Sequence, residues 1–377
     1  MGFASIIALD LGKFKSVACV MDAATRRHAF QTLDTTPRHL RELFAGHVGD
    51  GVGTDDDDDP SRTLVVVECC DAAGWVHDLA VSLGLAVRVA NCRHEAWRWS
   101  KVKRKTDRDD ALKLARLTLN DALPTVHVPA PVKRQRRRLI LHRRSLVARR
   151  TQCKNGIRSI FSQQGLSEHL PRGAAAWTKA GIAQLAAEAQ PLDACTPDDL
   201  WRGRLHLELQ LLEVLHGQIL AAERALDELA RDDAQVKLLE TVPGVGPRLA
   251  ETVVNCLDDP HRFRSAAHVS SYAGLVPKQM ESGTMKRIGR ITRHGSTLLR
   301  GMLVEVAWMV WRHNPWAKHF VARVSRGMKL RKKIAIVALA RKLLVILWAM
   351  LRDNQPWRGG ASAMTWLPLP DGAATVT

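Results

Sequence analysis

Two short apolar runs, each ending on a carboxylate, constrain this chain more than any other feature. Ser5-Ile6-Ile7-Ala8-Leu9 leads into Asp10, and Leu64-Val65-Val66-Val67 leads into Glu68. Runs of this length and composition read as strands. A third acidic group lies in Lys105-Thr106-Asp107-Arg108-Asp109-Asp110-Ala111, where Thr106 can cap a helix. Asp107 and Asp110 stand at i and i+3 and share one helix face, while Asp109 points away from it. Two carboxylates at strand ends and two on one helix face can converge on a single point. Gathered carboxylates repel and need cations. Mg²⁺ prefers oxygen ligands and bridges to substrate phosphates. Asp10, Glu68, Asp107 and Asp110 are therefore the candidate catalytic residues and the candidate Mg²⁺ ligands.

The first 120 residues read as α/β. Strands are expected at 6–10, 16–21, 28–33, 64–68 and 86–90, the first three close enough for a hairpin or meander. Helices are expected at 37–45, 72–83 and 106–119. Between them, Asp55 to Asp59 form an uninterrupted acidic run in a Gly-rich setting. It reads as a solvated surface loop, and no function is placed on it.

The charge balance then turns strongly basic. The formal net charge is +18, which favours a polyanionic partner over a small acidic substrate. No Asp or Glu occurs from Ala122 to Ser167. Within that stretch stand Lys133, Arg134, Arg136, Arg137, Arg138, Arg143, Arg144, Arg149, Arg150, Lys154 and Arg158. Leu139, Ile140, Leu146, Val147, Ile157 and Ile160 are interleaved at helical spacing. A long basic amphipathic helix that holds a phosphate backbone is expected. A membrane-surface helix would look similar but lacks an aromatic anchor before Phe161.

No membrane span is expected, because the most apolar stretch, 334–351, is broken by Arg341 and Lys342. The N-terminus shows no secretory pattern. Seven cysteines without a C-x-x-C pair suggest reduced thiols in the cytoplasm and no zinc site.

Farther along, Leu205, Leu212, Ile219 and Leu226 recur every seven residues, with Glu208, Leu215, Ala222 and Leu229 as companions. That pattern suits a coiled coil joining subunits, or a long helix packed inside its own domain. Leu238 to Pro247 contains Pro243-Gly244-Val245-Gly246, a helix–hairpin–helix signature whose amides can hold a phosphate. Tyr272-Ala273-Gly274-Leu275-Val276-Pro277 follows, then Glu281-Ser282-Gly283. Lys286, Arg287, Arg290, Arg293 and His294 come next. Ser282 could attack phosphorus with those cations stabilising the charge. By itself, such a Ser-Gly segment is most often only a turn. Tyr272 is the only tyrosine, and its apolar setting reads as core.

Together these motifs resemble one family. The acidic quartet, the long helical insert, the Pro-Gly-Val-Gly-Pro hairpin, Gly-Leu-Val-Pro, Glu-Ser-Gly and Ile-Thr-Arg-His-Gly are similar to those of DEDD transposases of insertion sequences, the IS one-ten group. The resemblance runs from about Ile6 to Leu351. It implies an RNase H-like, RuvC-like α/β domain at 1–125 and a basic helix with a mainly α coiled coil at 126–235. A mainly α transposase domain with the helix–hairpin–helix follows at 236–355, then a tail at 356–377. It also implies strand cutting and rejoining through a phosphoserine on Ser282, guided by a bridge RNA. Mg²⁺ would be held by the quartet, with dimers pairing into a synaptic tetramer on donor and target DNA. Asp109 departs from the family, which has an apolar or small residue there. Two rival readings stand beside this one: a RuvC-like Holliday-junction nuclease using the quartet alone, and a non-catalytic nucleic-acid-binding protein.

Overall fold

The computed structural model describes residues 3–47, 62–92, 94–97, 106–282 and 285–358, with 95, 280–282 and 285–288 described by backbone alone. The Asp55–Asp59 run and Lys105 lie outside the described residues. The chain divides into two compact units, Met1–Pro131 and Val132–Thr377.

The first unit is built on β1 (Ser5–Leu11), β2 (Lys15–Asp22), β3 (His28–Asp34), β4 (Thr63–Glu68), β5 (Ala86–Ala90) and β6 (Thr125–Val126). Its helices are α1 (Pro37–Ala45), α2 (Ala73–Ser82) and α3 (Asp107–Leu119). The sheet order is β3-β2-β1-β4-β5-β6. Strands β1 to β3 form an antiparallel meander, β1-β4-β5 are parallel, and β6 is antiparallel to β5. The central strand β4 reads Leu-Val-Val-Val without alternation because both its faces are covered. Ile7, Leu9, Val65 and Val67 face α1 and α2, packing with Leu40, Phe44, Val76 and Ala80. Ile6, Ala8, Leu64 and Val66 face α3, packing with Ala111, Leu114 and Ala115. This mixed, helix-covered sheet is consistent with an RNase H-like domain.

Local signals explain the element starts. Thr36 caps α1, accepting from the His39 amide at 3.3 Å, and Pro37 pre-sets the first turn. Gly12 makes the β1–β2 turn, where a Cβ would collide with the Lys15 carbonyl oxygen. The Thr35 hydroxyl ties that turn down by donating to the Gly12 carbonyl at 2.9 Å.

The second unit is mainly helical: α4 (Pro131–Gln163), α5 (Lys179–Glu188), α6 (Leu200–Arg231), α7 (Ala234–Glu240), α8 (Pro247–Leu257) and α9 (Ala266–Tyr272). A two-stranded ribbon of β7 (Pro277–Ser282) and β8 (Met285–Ile291) follows. The chain continues in α10 (Thr297–His313), α11 (Pro315–Ser325) and α12 (Lys332–Asp353).

Helices α4 and α6 run antiparallel. Their seam joins Leu146, Cys153, Ile157 and Ile160 to Leu205, Leu212 and Ile219, and Ile140 to Leu226. The heptad seam expected to join subunits is thus filled within the chain. A different stripe of α6 stays exposed, Leu200, Leu207, Leu211 and Val214, and so does Leu229, the last companion position of the heptad.

Helices α7 to α11 surround α12, whose Leu339, Ala340, Leu343, Leu344 and Leu347 are fully buried or nearly so. By length and composition α12 could cross a membrane, but 72% of its most apolar window is buried inside this unit. Each such leucine contributes roughly 1.5–3 kcal/mol on burial.

Candidate active site

Asp10 lies one residue before the end of β1, and Glu68 ends β4. The parallel register pairs Leu9 with Val67, so the two carboxylates follow side by side on adjacent strands. Both carry the parity of Ala8 and Val66, which face α3. The far end of α3 sits by Met21 and His28, where Arg116, Leu119 and Asn120 line a shared cleft. Met21 pairs with Ile6 near the start of β1. The N-terminus of α3 therefore lies toward the strand ends that carry Asp10 and Glu68. Asp107 opens α3 as an exposed residue, and Asp110 is 6% exposed one turn in. All four acids come to one face and one end of the sheet. Among the described residues, no three His, Cys, Asp or Glu groups close into a ready metal cage. The donors are all carboxylate oxygens, the type Mg²⁺ takes. That ion keeps several waters and binds through one or two carboxylates plus substrate phosphates. The set fits Mg²⁺ on those terms.

Asp109, the residue that departs from the family pattern, has a structural task. The Thr106 hydroxyl accepts from the Asp109 amide at 3.3 Å, and Asp109 Oδ2 accepts from the Thr106 amide at 2.9 Å. This reciprocal capping box starts α3. The Thr106 hydroxyl and amide hold the Asp109 carboxyl below its usual range.

Sequence reasoning missed two features of this end. Cys92 stands by Glu68, and burial followed by the Glu68 carboxylate pushes its thiol up to about 12. A cleft of about 560 Å³ opens past the β1 and β4 ends, lined by Leu11, Lys13, Thr35, Cys70, Asp71 and Trp75. The ends of parallel strands are where open α/β sheets bind ligands.

In the second unit, Ser282 ends β7 and pairs with Met285, so it stands at the tip of the ribbon. Lys286 and Arg287 lie on β8, and Arg290 and Arg293 are exposed toward its base. Two motifs distant in sequence cross at that base. Gly274 and Gly295 have φ of 65° and 84°. A Cβ on Gly274 would collide with the His294 carbonyl oxygen, and one on Gly295 with that of Tyr272. The Arg293 amide donates to the Gly274 carbonyl at 3.2 Å. Arg300 Nη1 donates to the Ala273 carbonyl at 3.0 Å. Tyr272 packs edge-on to Phe263 and donates its hydroxyl to the Cys256 carbonyl at 2.8 Å.

The basic helix α4 divides its cations. Arg136 is buried and paired with Asp233 at 2.7 Å. Arg137 donates to the carbonyls of Asn255 and Cys256. Arg143 meets Glu223, with Nε at 2.9 Å from the carboxylate. Arg144 donates to the Leu298 carbonyl at 3.3 Å and reaches Glu305 at 3.6 Å. These four hold α4 to its own unit. Arg138 and Arg149 are exposed, while Lys133, Arg134 and Arg150 are half-buried. Lys154 and Arg158 lie over the Trp177 ring at 4.8 and 5.0 Å. Burial, then the charges of Arg150 and Arg158, lowers the Lys154 pKa. Burial, then Lys154 and Arg150, does the same to His216. That mutual repulsion marks a concentration of positive charge, and none of Arg149, Arg150, Lys154 and Arg158 forms an ion pair among the described residues.

A transposase model of the DEDD, IS110 type matches residues 7–164. The Transposase IS116/IS110/IS902 family matches residues 236–322. The probable family 20 transposase of Pseudomonas aeruginosa is 32% identical over 304 residues, covering 79% of this chain and 86% of that relative. The chain belongs to the IS110-type insertion-sequence transposases. It is thus a DNA transposase, and DNA is its partner. Another relative of this IS110 member is the transposase of insertion sequence element IS1111A from Coxiella burnetii, 29% identical over 79% of this chain and 80% of that relative. The pilin gene-inverting protein of Moraxella lacunata is 27% identical over 68% and 69%. The first match contains the whole acidic quartet, and the second contains Ser282 and the crossing glycines.

Proposed function

We propose that this transposase cuts and rejoins DNA strands through a phosphoserine on Ser282, guided by a structured bridge RNA. The observation that carries the reading is the placement of Asp10, Glu68, Asp107 and Asp110 on one face and one end of the sheet. Those four would hold Mg²⁺, which supplies Lewis-acid stabilisation of phosphate charge. The Ser282 oxygen bonds to phosphorus as the bond to the departing strand breaks, and the departing oxygen takes up a proton. Reversal by a new hydroxyl end rejoins DNA and frees the serine. The phosphodiester energy is conserved, so no external energy source is needed. Arg290 and Arg293, with Lys286 and Arg287, supply positive charge for the transition state.

The cationic group of Arg149, Arg150, Lys154 and Arg158 suits the backbone of the guide RNA. Base pairing then selects the donor and target DNA while the protein reads shape. The Pro243–Gly246 turn and the start of α8 suit a phosphate, as in a helix–hairpin–helix. The exposed α6 stripe suits a coiled-coil contact with a second copy, and two dimers would form the synaptic tetramer. The reaction is assigned to the cytoplasm.

The test is mass spectrometry of trapped reactions. Wild type should carry a nucleotide adduct on Ser282. Ser282→Ala should bind RNA and DNA normally and neither cut nor exchange strands. Efficient cutting by Ser282→Ala, with no adduct on wild type, would instead assign the quartet to a hydrolytic junction nuclease. Asp10→Asn or Asp110→Asn should abolish strand exchange.

A further inference from the structure

The turn between α11 and α12 lies beyond both family matches, which end at residues 164 and 322. It reads Arg326-Gly327-Met328-Lys329-Leu330-Arg331-Lys332-Lys333-Ile334. Leu330 is 96% exposed and Ile334 is 66% exposed. Residues 330 and 334 are four apart, and Met328 is also exposed, so they make a short apolar ridge. Arg326, Lys329, Arg331 and Lys333 are exposed around it. None of the four has an ion pair among the described residues. No Asp or Glu occurs from Val306 to Arg352, so the surrounding sequence offers no counter-charge.

The turn is held firmly. Arg326 and Gly327 adopt φ of 53° and 73°. The Met328 amide donates to the Ser325 carbonyl at 3.0 Å, and the Arg331 amide to the Met328 carbonyl at 3.1 Å. Lys332 is anchored over the Trp311 ring at 3.9 Å. A fixed, projecting leucine ringed by unneutralised cations matches the chemistry of side chains that wedge between base pairs while neighbouring cations grip phosphates. A membrane surface fits less well. Beyond Ile334, the apolar residues of α12 are turned into the core, leaving only Met328, Leu330 and Ile334 at this turn to enter lipid.

We propose that residues 326–334 form a duplex-DNA wedge, with Leu330 entering a base step and Arg326, Lys329, Arg331 and Lys333 on the flanking phosphates. The wedge uses neither Ser282 nor any residue of the acidic quartet. Ser282→Ala therefore keeps this binding, and failure here leaves the phosphoserine reading untouched.

The test uses the full chain and a short DNA duplex with a central TpA step and donor and acceptor dyes on its ends. Anisotropy over a salt series reads phosphate contacts, and energy transfer reads bending. Wild type should raise energy transfer. Leu330→Ala should lose that rise and keep the salt slope. Combined Lys329→Gln, Arg331→Gln and Lys333→Gln should lower the log–log salt slope by about three. The Lys329→Arg, Lys333→Arg pair should keep the slope, which separates charge from fold. An unbent duplex with wild type would overturn the proposal, as would an unchanged slope in the triple variant. So would loss of binding to phosphatidylserine vesicles or to duplex RNA with DNA binding intact.

Discussion

Neutralising the basic helix at its two ends should produce two different failures. Arg136 and Asp233 pair at 2.7 Å with side chains 9% and 15% exposed. Removing one partner of such a buried pair costs about 3–5 kcal/mol. For a unit of this size each kcal/mol lowers the melting temperature by roughly 2–4 °C. Arg136→Gln should therefore melt on the order of 10 °C lower, while its RNA-binding salt slope stays at the wild-type value. Arg149, Arg150, Lys154 and Arg158 have no carboxylate partner among the described residues. Changing all four to Gln should lower melting much less than Arg136→Gln does, since the Lys154 and Arg158 contacts with Trp177 are lost but no ion pair is broken, and should lower the log–log slope by about three to four. The assays are calorimetric melting and anisotropy of a labelled structured RNA across a salt series. If Arg136→Gln lowers the slope by about one and melts normally, the division of the helix is wrong. An unchanged slope in the fourfold variant would equally refute it.

Gly274→Ala should destabilise the second unit by about 2–4 kcal/mol, since its Cβ meets the His294 carbonyl and its φ is positive; thermal melting at wild-type level would contradict the crossing. Glu251 is 0% exposed, and burial raises its pKa above the ordinary 4.5 despite Arg248, Arg136 and Arg143. The folded state then holds the proton more tightly, so this group's stabilisation is full below 4.5 and is lost as pH rises through the raised value. Glu251→Gln should raise the melting temperature at neutral pH and flatten that decline; an identical pH profile would refute the assignment.

Much of the first unit was legible because its signals are local. Runs at 6–10 and 64–68 spell strands, and Thr106 spells a cap, so Asp10, Glu68, Asp107 and Asp110 could be placed on elements from sequence. Their convergence depended only on the parallel β1–β4 register and on which face α3 covers. Which arginines of α4 face inward was not legible. Arg137 finds its carbonyls 118 and 119 residues away. No local pattern separates it from Arg138. The α6 heptad showed one stripe clearly, but leucines on two faces of a helix do not say which face its own chain covers. Glu251 looks like an ordinary polar position of α8. Only packing reveals that every residue from Leu249 to Leu257 is buried.

The α4–α6 hairpin closes its own apolar seam, and that changes how assembly relates to folding. A helix whose only seam awaited another chain would be unfolded when dilute, and its melting would rise with protein concentration. Here the inner seam is already satisfied, so a second copy docking, as proposed, at the exposed Leu207, Leu211 and Val214 would meet a finished surface. Such an association would be weak and reversible without exposing the chain to proteolysis or aggregation between encounters. Abundance in the cell would set how often copies meet, and so how often the element moves, while each copy waits intact.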